Sequence, residues 1–439
     1  VVSSGILQVN NVTSLGANTS ADAAKVEAGA YFADNIGATT SGITLNGGTL
    51  GGVGGDRITA CPIAVTAAST IKLEDIVSPG TFRNYTLSGK VSGSGALNVP
   101  GLPAGTTRNF DLSNATNDYS GTITVNPNVT LRNYPATVGK TLGLATVVLN
   151  GGALTVNDDG SGSSVVLDYT AVSVTVAADS TMNIDRRGAN SGNTIRFGGF
   201  SIGGTTNRIL TLNTGANAYV YRFGATTLTG NATLRPNSYS PTVQLGALNG
   251  GGVTPRILTF RPVPNNTGTL DLLEAAAGGS LVAGSELYAM NSSNTGTVTL
   301  RLSATDAFGS VGTIYLNDPA NTSSVATALQ LNTSGMSLNN PIVVRQGQGT
   351  GACTIGNGPL LLGGSVSLTN TLTMNKTTTF DVPSGVTFAH SNSIIAPMSG
   401  IGITKSSLGT LWLTGSSTYI GPTTVNAGTL LLKGDTLSI

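Results

Sequence analysis

The sequence has little charge and few aromatic side chains. Only 9% of its 439 residues are charged and 5% are aromatic, whereas glycine alone fills 60 positions. A surface helix normally needs many charged or polar residues on its solvent face. The composition therefore argues against a helical enzyme and favours short strands joined by tight corners.

Long apolar runs are also missing. No uninterrupted apolar run approaches the roughly 20 residues that a bilayer-spanning helix requires, and none resembles the apolar centre of a signal peptide. We therefore expect no membrane insertion of this segment. Because the sequence opens at Val1 and not at Met, we also expect a processed or excised segment.

Cysteine and histidine are almost absent. Cys61 and Cys353 have neither a metal-ligand nor a redox spacing, so we expect both to be buried as small hydrophobic residues. His390 is the only histidine and has apolar Val386 and Phe388 nearby. One imidazole cannot supply a metal site, so we expect a structural histidine and predict that the chain uses neither a metal nor another cofactor.

Short runs of alternating apolar and polar residues are what the sequence does contain. The aliphatics of 298–302 and 172–176 point to one face of a strand, and glycine-rich boxes such as 46–48 and 150–152 mark corners. Helical signal is confined to two short segments, 21–28 and 272–277. These patterns leave a choice between antiparallel sandwiches in series and one coiled sheet.

Internal repeats favour the coiled sheet. Residues 119–126 share a Tyr-x-Gly-x-x-Thr-Val-Asn pattern with residues 419–426, and residues 2–9 align with residues 425–432. Repeats of this kind build solenoids, in which each turn packs only on its neighbours. With roughly 20 to 25 residues per turn, the chain would make about 18 to 22 turns.

The clearest repeat resembles a known family. Residues 409–430 combine spaced glycines with Tyr-x-Gly, Thr-x-Val and Gly-x-Leu elements. This pattern is similar to the autotransporter-associated β-strand repeat, also called the passenger-associated transport repeat. The resemblance implies a right-handed parallel β-helix that is extracellular or at the outer cell surface of a Gram-negative-type cell. We expect an all-β chain, one elongated β-solenoid over 1–439, with repeat-like segments at 2–50, 88–131 and 409–432.

The two ends of the sequence read as complementary parts of one repeat, and no polar cap is evident at either. Unpaired strand edges of a solenoid invite pairing with another chain. We therefore expect a secreted structural protein that associates with itself into a fibre or surface layer. The residues expected in end-to-end contacts are Val2, Ile6, Leu7, Val425, Leu430 and Leu432.

A stretch of one charge sign supports an alternative function. Between positions 186 and 261 the charged residues are all arginine; they are Arg186, Arg187, Arg196, Arg208, Arg222, Arg235, Arg256 and Arg261. Arginines one turn apart can form a ladder that attracts an anion or an acidic neighbour. The alternative is thus an adhesin that binds anionic surface polysaccharide, and scattered solvated arginines remain the competing interpretation. Nucleic acid is disfavoured because the net charge is only +1.

Aromatic residues accompany these arginines. Tyr219, Tyr221 and Phe223 alternate with Val220 and Arg222, so the rings share one strand face. An outward face would stack on sugars or on a partner, whereas an inward face would fill the core. The flanking leucines place Trp412 on the surface. The contact residues predicted for a ligand or partner are Arg186, Arg187, Arg196, Arg208, Tyr219, Tyr221, Arg222 and Trp412.

Candidate catalytic acids are few. The adjacent pairs at 74–75 and 158–159, and the acid beside two arginines at 185–187, all adjoin corner signals, so we interpret them as solvated acids or local ion pairs. We expect no catalytic residues and no enzyme activity. A β-helix polysaccharide lyase is the least favoured alternative.

Overall fold

The computed structural model describes most of the chain. The described residues are 1–10, 24–34, 42–135, 139–239, 241–252, 254–264, 266–276, 281–290, 297–309, 312–320, 326–347, 352–359 and 361–433. Over these ranges the chain contains strands and no helix, and every pairing between named strands is parallel. The chain divides into two compact units, one formed by Val1–Phe200 with Asn213–Tyr219, the other by Ser201–Leu212 with Val220–Ile439.

The first unit is a β-solenoid. Its strands are β1 (Gly5–Val9), β2 (Ala24–Glu27), β3 (Ala30–Asp34), β4 (Ile43–Asn46), β5 (Thr49–Gly52), β6 (Arg57–Thr59), β7 (Ile63–Ala67), β8 (Ser69–Lys72), β9 (Tyr85–Leu87), β10 (Val91–Gly93), β11 (Leu97–Val99), β12 (Arg108–Leu112), β13 (Thr122–Val125), β14 (Val129–Asn133), β15 (Thr146–Asn150), β16 (Ala153–Asn157), β17 (Val166–Tyr169), β18 (Ser173–Ala178), β19 (Ser180–Asp185) and β20 (Thr194–Phe197). Its hydrogen-bonded strand orders are β1-β3-β5-β8-β11-β13-β15-β18, β10-β7-β4-β2, β19-β16-β14-β12-β9-β6 and β17-β20. Two further strands, β21 (Phe200–Ile202) and β22 (Arg208–Thr214), have residues in both units.

The second unit is also a β-solenoid. Its strands are β23 (Val220–Phe223), β24 (Thr226–Leu228), β25 (Ala232–Ser238), β26 (Thr242–Leu245), β27 (Leu248–Asn249), β28 (Ile257–Phe260), β29 (Gly268–Leu272), β30 (Glu286–Ala289), β31 (Thr297–Leu302), β32 (Thr313–Leu316), β33 (Ala326–Leu331), β34 (Ser337–Leu338), β35 (Ile342–Val344), β36 (Cys353–Asn357), β37 (Gly364–Leu368), β38 (Leu372–Met374), β39 (Thr378–Asp381), β40 (Val386–His390), β41 (Ile394–Ile395), β42 (Ile403–Ser406), β43 (Thr410–Leu413), β44 (Thr423–Val425) and β45 (Thr429–Leu432). Its strand orders are β24-β27, β41-β38-β35-β32-β30-β28-β25, β23-β26-β29-β31-β33-β36-β39-β42-β44 and β34-β37-β40-β43-β45.

Alternation along each strand builds the core. In β31 the predicted inward residues Val298, Leu300 and Leu302 are all buried, while the residues between them are partly exposed. Leu300 and Leu302 are register partners of Leu329 and Leu331 on the next turn. Aliphatic side chains therefore stack in columns, and the backbone hydrogen bonds run from turn to turn. The predicted parallel β-solenoid is confirmed for each unit, and one continuous solenoid over 1–439 stays a prediction.

The turns are longer than expected. Together the two units contain about 14 turns, and not 18 to 22. Register partners lie as close as Phe32 and Leu50, which are 18 positions apart, and as far as Leu270 and Leu300, which are 30 positions apart. Insertions at the corners explain the difference, because they lengthen a turn without changing its strands.

Two glycine boxes form corners as predicted. Gly47 separates β4 from β5, Gly151 separates β15 from β16, and both have φ of +92°. Residues with a Cβ atom rarely adopt this backbone conformation. The two segments with a weak helical signal, 21–28 and 272–277, contain no helix where the structure describes them. Strand β2 occupies residues 24–27, and strand β29 ends at residue 272. Residues 21–23 and 277 lie outside the described residues.

Candidate functional site

The arginine-rich stretch is neutralised in part by acids from other turns. Arg196 Nη2 lies 2.9 Å from Asp168 Oδ2, and these two residues are register partners on β20 and β17. Arg261 Nη2 lies 3.1 Å from Asp318 Oδ2. Both acids stand outside the 186–261 stretch in sequence, and the solenoid brings them beside the arginines. An unbroken ladder of uncompensated arginines is therefore not what the fold builds.

Arg186 and Arg187 are exposed in the first unit. The Arg187 guanidinium lies 4.2 Å from the centre of the Tyr134 ring, and Arg132 lies 4.6 Å from the same ring. Arg132 also donates two hydrogen bonds of 2.6 Å to the Asp111 carboxylate. Tyr134 thus holds two cations close together, one of which is fixed by an acid.

Arg208 and Arg222 are half-buried in the second unit. The Nε atom of Arg208 is buried and makes no hydrogen bond within the described part of the chain. Arg222 is the register partner of Gln244, and Gln244 is the partner of Asp271 on the following turn. The row therefore alternates a cation, an amide and an acid and does not repeat one charge.

The two predicted tyrosine contacts need correction. Tyr219 and Tyr221 are both buried, so neither ring is available to a sugar or a partner. The Tyr219 hydroxyl donates to the Asp158 carbonyl oxygen over 3.0 Å, and burial raises its pKa to about 12. The strand register turns Arg222 outward, which sends the alternating aromatic side chains into the core.

Trp412 lies on the outward face of β43, as predicted. Its neighbours Leu411 and Leu413 are buried, whereas Trp412 is half-exposed. Its register partners are Ala389 on β40 and Leu431 on β45. The predicted strand register is therefore confirmed, and the role of Trp412 in a contact stays a prediction.

The predicted end contacts lie on edge strands or beside them. β1 is the edge of its sheet, where Ile6 is 53% exposed and Leu7 is half-buried, and Val2 bridges to Val26. At the other end β44 and β45 are edges of their sheets. Val425 is 47% and Leu432 is 49% exposed, and Leu430 is half-buried.

A groove of about 490 Å³ lies in the second unit, on the outward face of β22, β25 and β28. Arg235 and Arg261 are two of its polar residues. They come directly after Leu234 and Phe260, which are register partners on successive turns. The full lining consists of Asn207, Ile209, Thr233, Arg235, Thr259, Arg261, Pro262, Val263, Pro264 and Met290. The lining thus combines arginine, threonine and asparagine side chains with apolar ones. This arrangement suits a ligand with both polar and apolar surfaces.

A stacked tyrosine pair adjoins this groove. Tyr288, the register partner of Thr259, lies with its ring centre 4.6 Å from that of Tyr315, at an interplanar angle of 9°. The Arg345 guanidinium lies 5.3 Å from the Tyr288 ring centre. The Tyr288 hydroxyl donates to Glu286 over 2.7 Å, and burial together with that carboxylate raises the pKa of Tyr288 to about 12. Sequence reasoning missed this pair because the two tyrosines meet only once the turn length between them is known.

The candidate catalytic acids accept hydrogen bonds from the chain itself. Asp75 accepts hydrogen bonds from the backbone N–H groups of Val77, Ser78 and Gly54, and Asp158 accepts one from the Tyr169 hydroxyl over 2.7 Å. No group of three or more His, Cys, Asp and Glu side chains suited to a metal ion occurs within the ranges described above. Nor does that part of the chain include a helix long and apolar enough to cross a membrane.

Comparison with known proteins addresses the last turns of the second unit. No curated protein and no solved structure matches the chain. Residues 403–432, which contain β42 to β45, match the family model of the Passenger-associated-transport-repeat. A repeat of this family suggests an autotransporter passenger that is secreted or exposed at the cell surface. The resemblance seen in the motifs is thus confirmed, and the chain carries a passenger-associated transport repeat at residues 403–432.

Proposed function

We propose that this chain is a structural part of an autotransporter passenger and that it associates with itself through its strand edges, into a fibre or a surface layer outside the cell. The proposed role needs no cofactor and no catalytic residue. Its partner is a second copy of the chain, and neither nucleic acid nor a membrane takes part.

The open edge at β45 is the observation that carries this proposal. Leu430 and Leu432 continue the core columns of Leu411 and Leu413, because each pair is in register on successive turns. Leu411 and Leu413 are buried, whereas Leu432 is about half exposed. One further turn would bury these side chains and pair the free backbone groups of the edge, at roughly 25 cal/mol for each Å² of apolar surface removed from water.

The edge at β1 is suited to supply that turn. The sequence of residues 2–9 aligns with that of 425–432, so β1 has the pattern of β45 and is suited to the equivalent position on the next turn. Within the described residues β1 pairs on one side only, with β3, and Ile6 on it is exposed. Stacking one copy's β1 edge on another copy's terminal turn would bury both exposed aliphatic sets.

Sedimentation velocity and negative-stain microscopy over a range of concentrations test self-association. We expect the wild-type chain to form growing assemblies and Leu432→Lys to abolish them, because a charge in the core column cannot be buried unpaired. Leu362→Lys is the matched control, since Leu362 is fully exposed and stands outside the edge strands. A wild-type chain that stays monomeric at high concentration, or equal behaviour of the two variants, would refute the proposal.

Trp412 offers a second readout of the same contact. It is the only tryptophan, and its register partner Leu431 lies on the edge strand. If another copy covers this edge, acrylamide should quench Trp412 fluorescence less well as the protein concentration rises. Leu432→Lys should remove that concentration dependence, and Leu362→Lys should retain it.

A further inference from the structure

The groove of the second unit has a regular arrangement along the solenoid. Arg261 N–H donates to the Leu234 carbonyl oxygen, and Met290 N–H donates to that of Phe260. These bonds place Arg235, Arg261 and Met290 in one row across three successive strands. Neighbouring strands in a sheet lie about 4.8 Å apart, so the row offers one side chain for each such step.

A second row runs beside the first. Thr233 is the register partner of Thr259, Thr259 of Tyr288, and Tyr288 of Tyr315. All four side chains face outward and are partly exposed. This row therefore has threonine hydroxyl groups at one end and two parallel tyrosine rings at the other. It lies beside the first row, which begins with two arginines.

Within the described residues, two cations on this face, Arg235 and Arg345, form no ion pair. Arg261 is paired with Asp318, and Glu286 accepts a hydrogen bond from Tyr288. Arg345 lies over the tyrosine rings. The half-buried Arg235 guanidinium is thus positioned to meet an anion from solution.

We propose that this face binds an acidic polysaccharide, with a carboxylate or sulfate of one sugar on Arg235 of β25 and the apolar face of the sugar two positions further along on Tyr288 of β30. A strand spacing of about 4.8 Å is close to the length of one pyranose ring, so successive sugars fall on successive turns. The threonine and asparagine side chains bind sugar hydroxyls, and Pro262, Val263 and Met290 contact the ring carbons.

An extended peptide fits this face less well. Peptides that add to a sheet use the free backbone groups of an edge strand, whereas β25 and β28 are paired on the sheet interior. The side chains of the groove, and not its backbone, are what a ligand meets. This inference does not depend on self-association, because none of the groove residues lies on the edge strands β1, β44 and β45.

Binding to polygalacturonate, a polymer of carboxylated sugars, tests the proposal, with dextran as the neutral comparison. Isothermal titration at a concentration below any assembly should show binding of polygalacturonate and little binding of dextran. We expect Arg235→Gln to weaken binding about tenfold or more, as expected when a hydrogen bond to a charged group is lost. Tyr288→Leu, which keeps an apolar side chain and removes the ring, should weaken binding several-fold.

Lys140→Gln is the matched control, because Lys140 is an exposed cation in the first unit. It should bind like the wild type. Circular dichroism and thermal unfolding identify any variant that fails to fold, and then Thr259→Val supplies a smaller change in the same groove, with a several-fold loss expected. Absence of binding to polygalacturonate, equal binding to dextran, or equal losses for Arg235→Gln and Lys140→Gln would overturn the proposal.

Discussion

Leu413 and Leu432 are register partners on successive turns, yet Leu413 is 3% exposed and Leu432 is 49% exposed. The same residue type in the same column therefore contributes differently to stability. Leu413→Ala should lower the free energy of unfolding of these turns by about 2 to 5 kcal/mol, because it leaves a cavity in a packed core. Leu432→Ala should cost less than about 1 kcal/mol in a dilute, unassembled chain.

Urea unfolding followed by Trp412 fluorescence measures both changes, since Trp412 lies on β43 beside Leu413 and is in register with Leu431 on β45. Measuring the two variants over a range of protein concentrations also tests the stacking of copies. If copies stack on this edge, the cost of Leu432→Ala should rise as the chain assembles, whereas the cost of Leu413→Ala should stay constant. Equal costs for both variants in a dilute monomer would contradict the open edge.

A ladder of asparagine side chains gives a second prediction, in the first unit. Asn126 Nδ2 donates to Asn98 Oδ1 over 2.8 Å and to the Val99 carbonyl oxygen over 2.9 Å, and Asn126 Oδ1 accepts from Asn150 over 2.8 Å. Asn126→Asp removes the donor and should cost about 1 to 2 kcal/mol. Asn98→Asp keeps the acceptor that the ladder uses, so it should be nearly neutral in thermal unfolding. A larger loss for Asn98→Asp would show that the amide groups are oriented the other way.

The two thiols should not react with thiol-specific reagents in the folded chain. Cys61 and Cys353 are buried, as the sequence predicted, and neither forms a disulfide; burial raises the pKa of Cys353 to about 12. The reactive species is the thiolate, which is scarce at Cys353 at pH 8, and burial keeps a reagent from both sulfur atoms. A thiol-specific reagent at pH 8 should label neither residue before denaturation and both after it. Rapid labelling of either thiol in the native protein would contradict its burial.

Much of the fold could be predicted from the sequence, because the alternation of apolar and polar residues shows which side chains of a strand point into the core. The buried aliphatics of β31, the corner glycines and the outward Trp412 were all predicted from residues within a few positions of one another. Such local patterns fix which face of a strand is inward. The family match at 403–432 agrees with the motif that the sequence contains.

The candidate sites were less predictable because they depend on which residues meet between turns. Turn length varies from 18 to 30 positions, so the pairing of Arg196 with Asp168, or of Tyr288 with Tyr315, follows only from the register. Tyr221 illustrates a second difficulty. Its strand alternates aromatic residues with a valine and an arginine, and either face has enough apolar surface to enter the core.

The single histidine should make the terminal turns sensitive to acid. His390 is buried in a column between Leu368 and Leu413, its register partners, and burial lowers its pKa from 6.5 to about 4. Between these two values the unfolded chain binds more protons at His390 than the folded chain does. The free energy of unfolding should therefore fall as the pH drops from about 6.5 and should level off below about 4.

The full loss from this one group amounts to roughly 3 kcal/mol, since each pKa unit corresponds to about 1.4 kcal/mol. His390→Leu, which matches the residues above and below it, should remove this contribution and leave that of the carboxylates unchanged. The difference between the two unfolding curves, followed by Trp412 fluorescence from pH 4 to 7.5, isolates the histidine. Parallel curves for the two proteins over this range would show that His390 reaches solvent before the turns unfold.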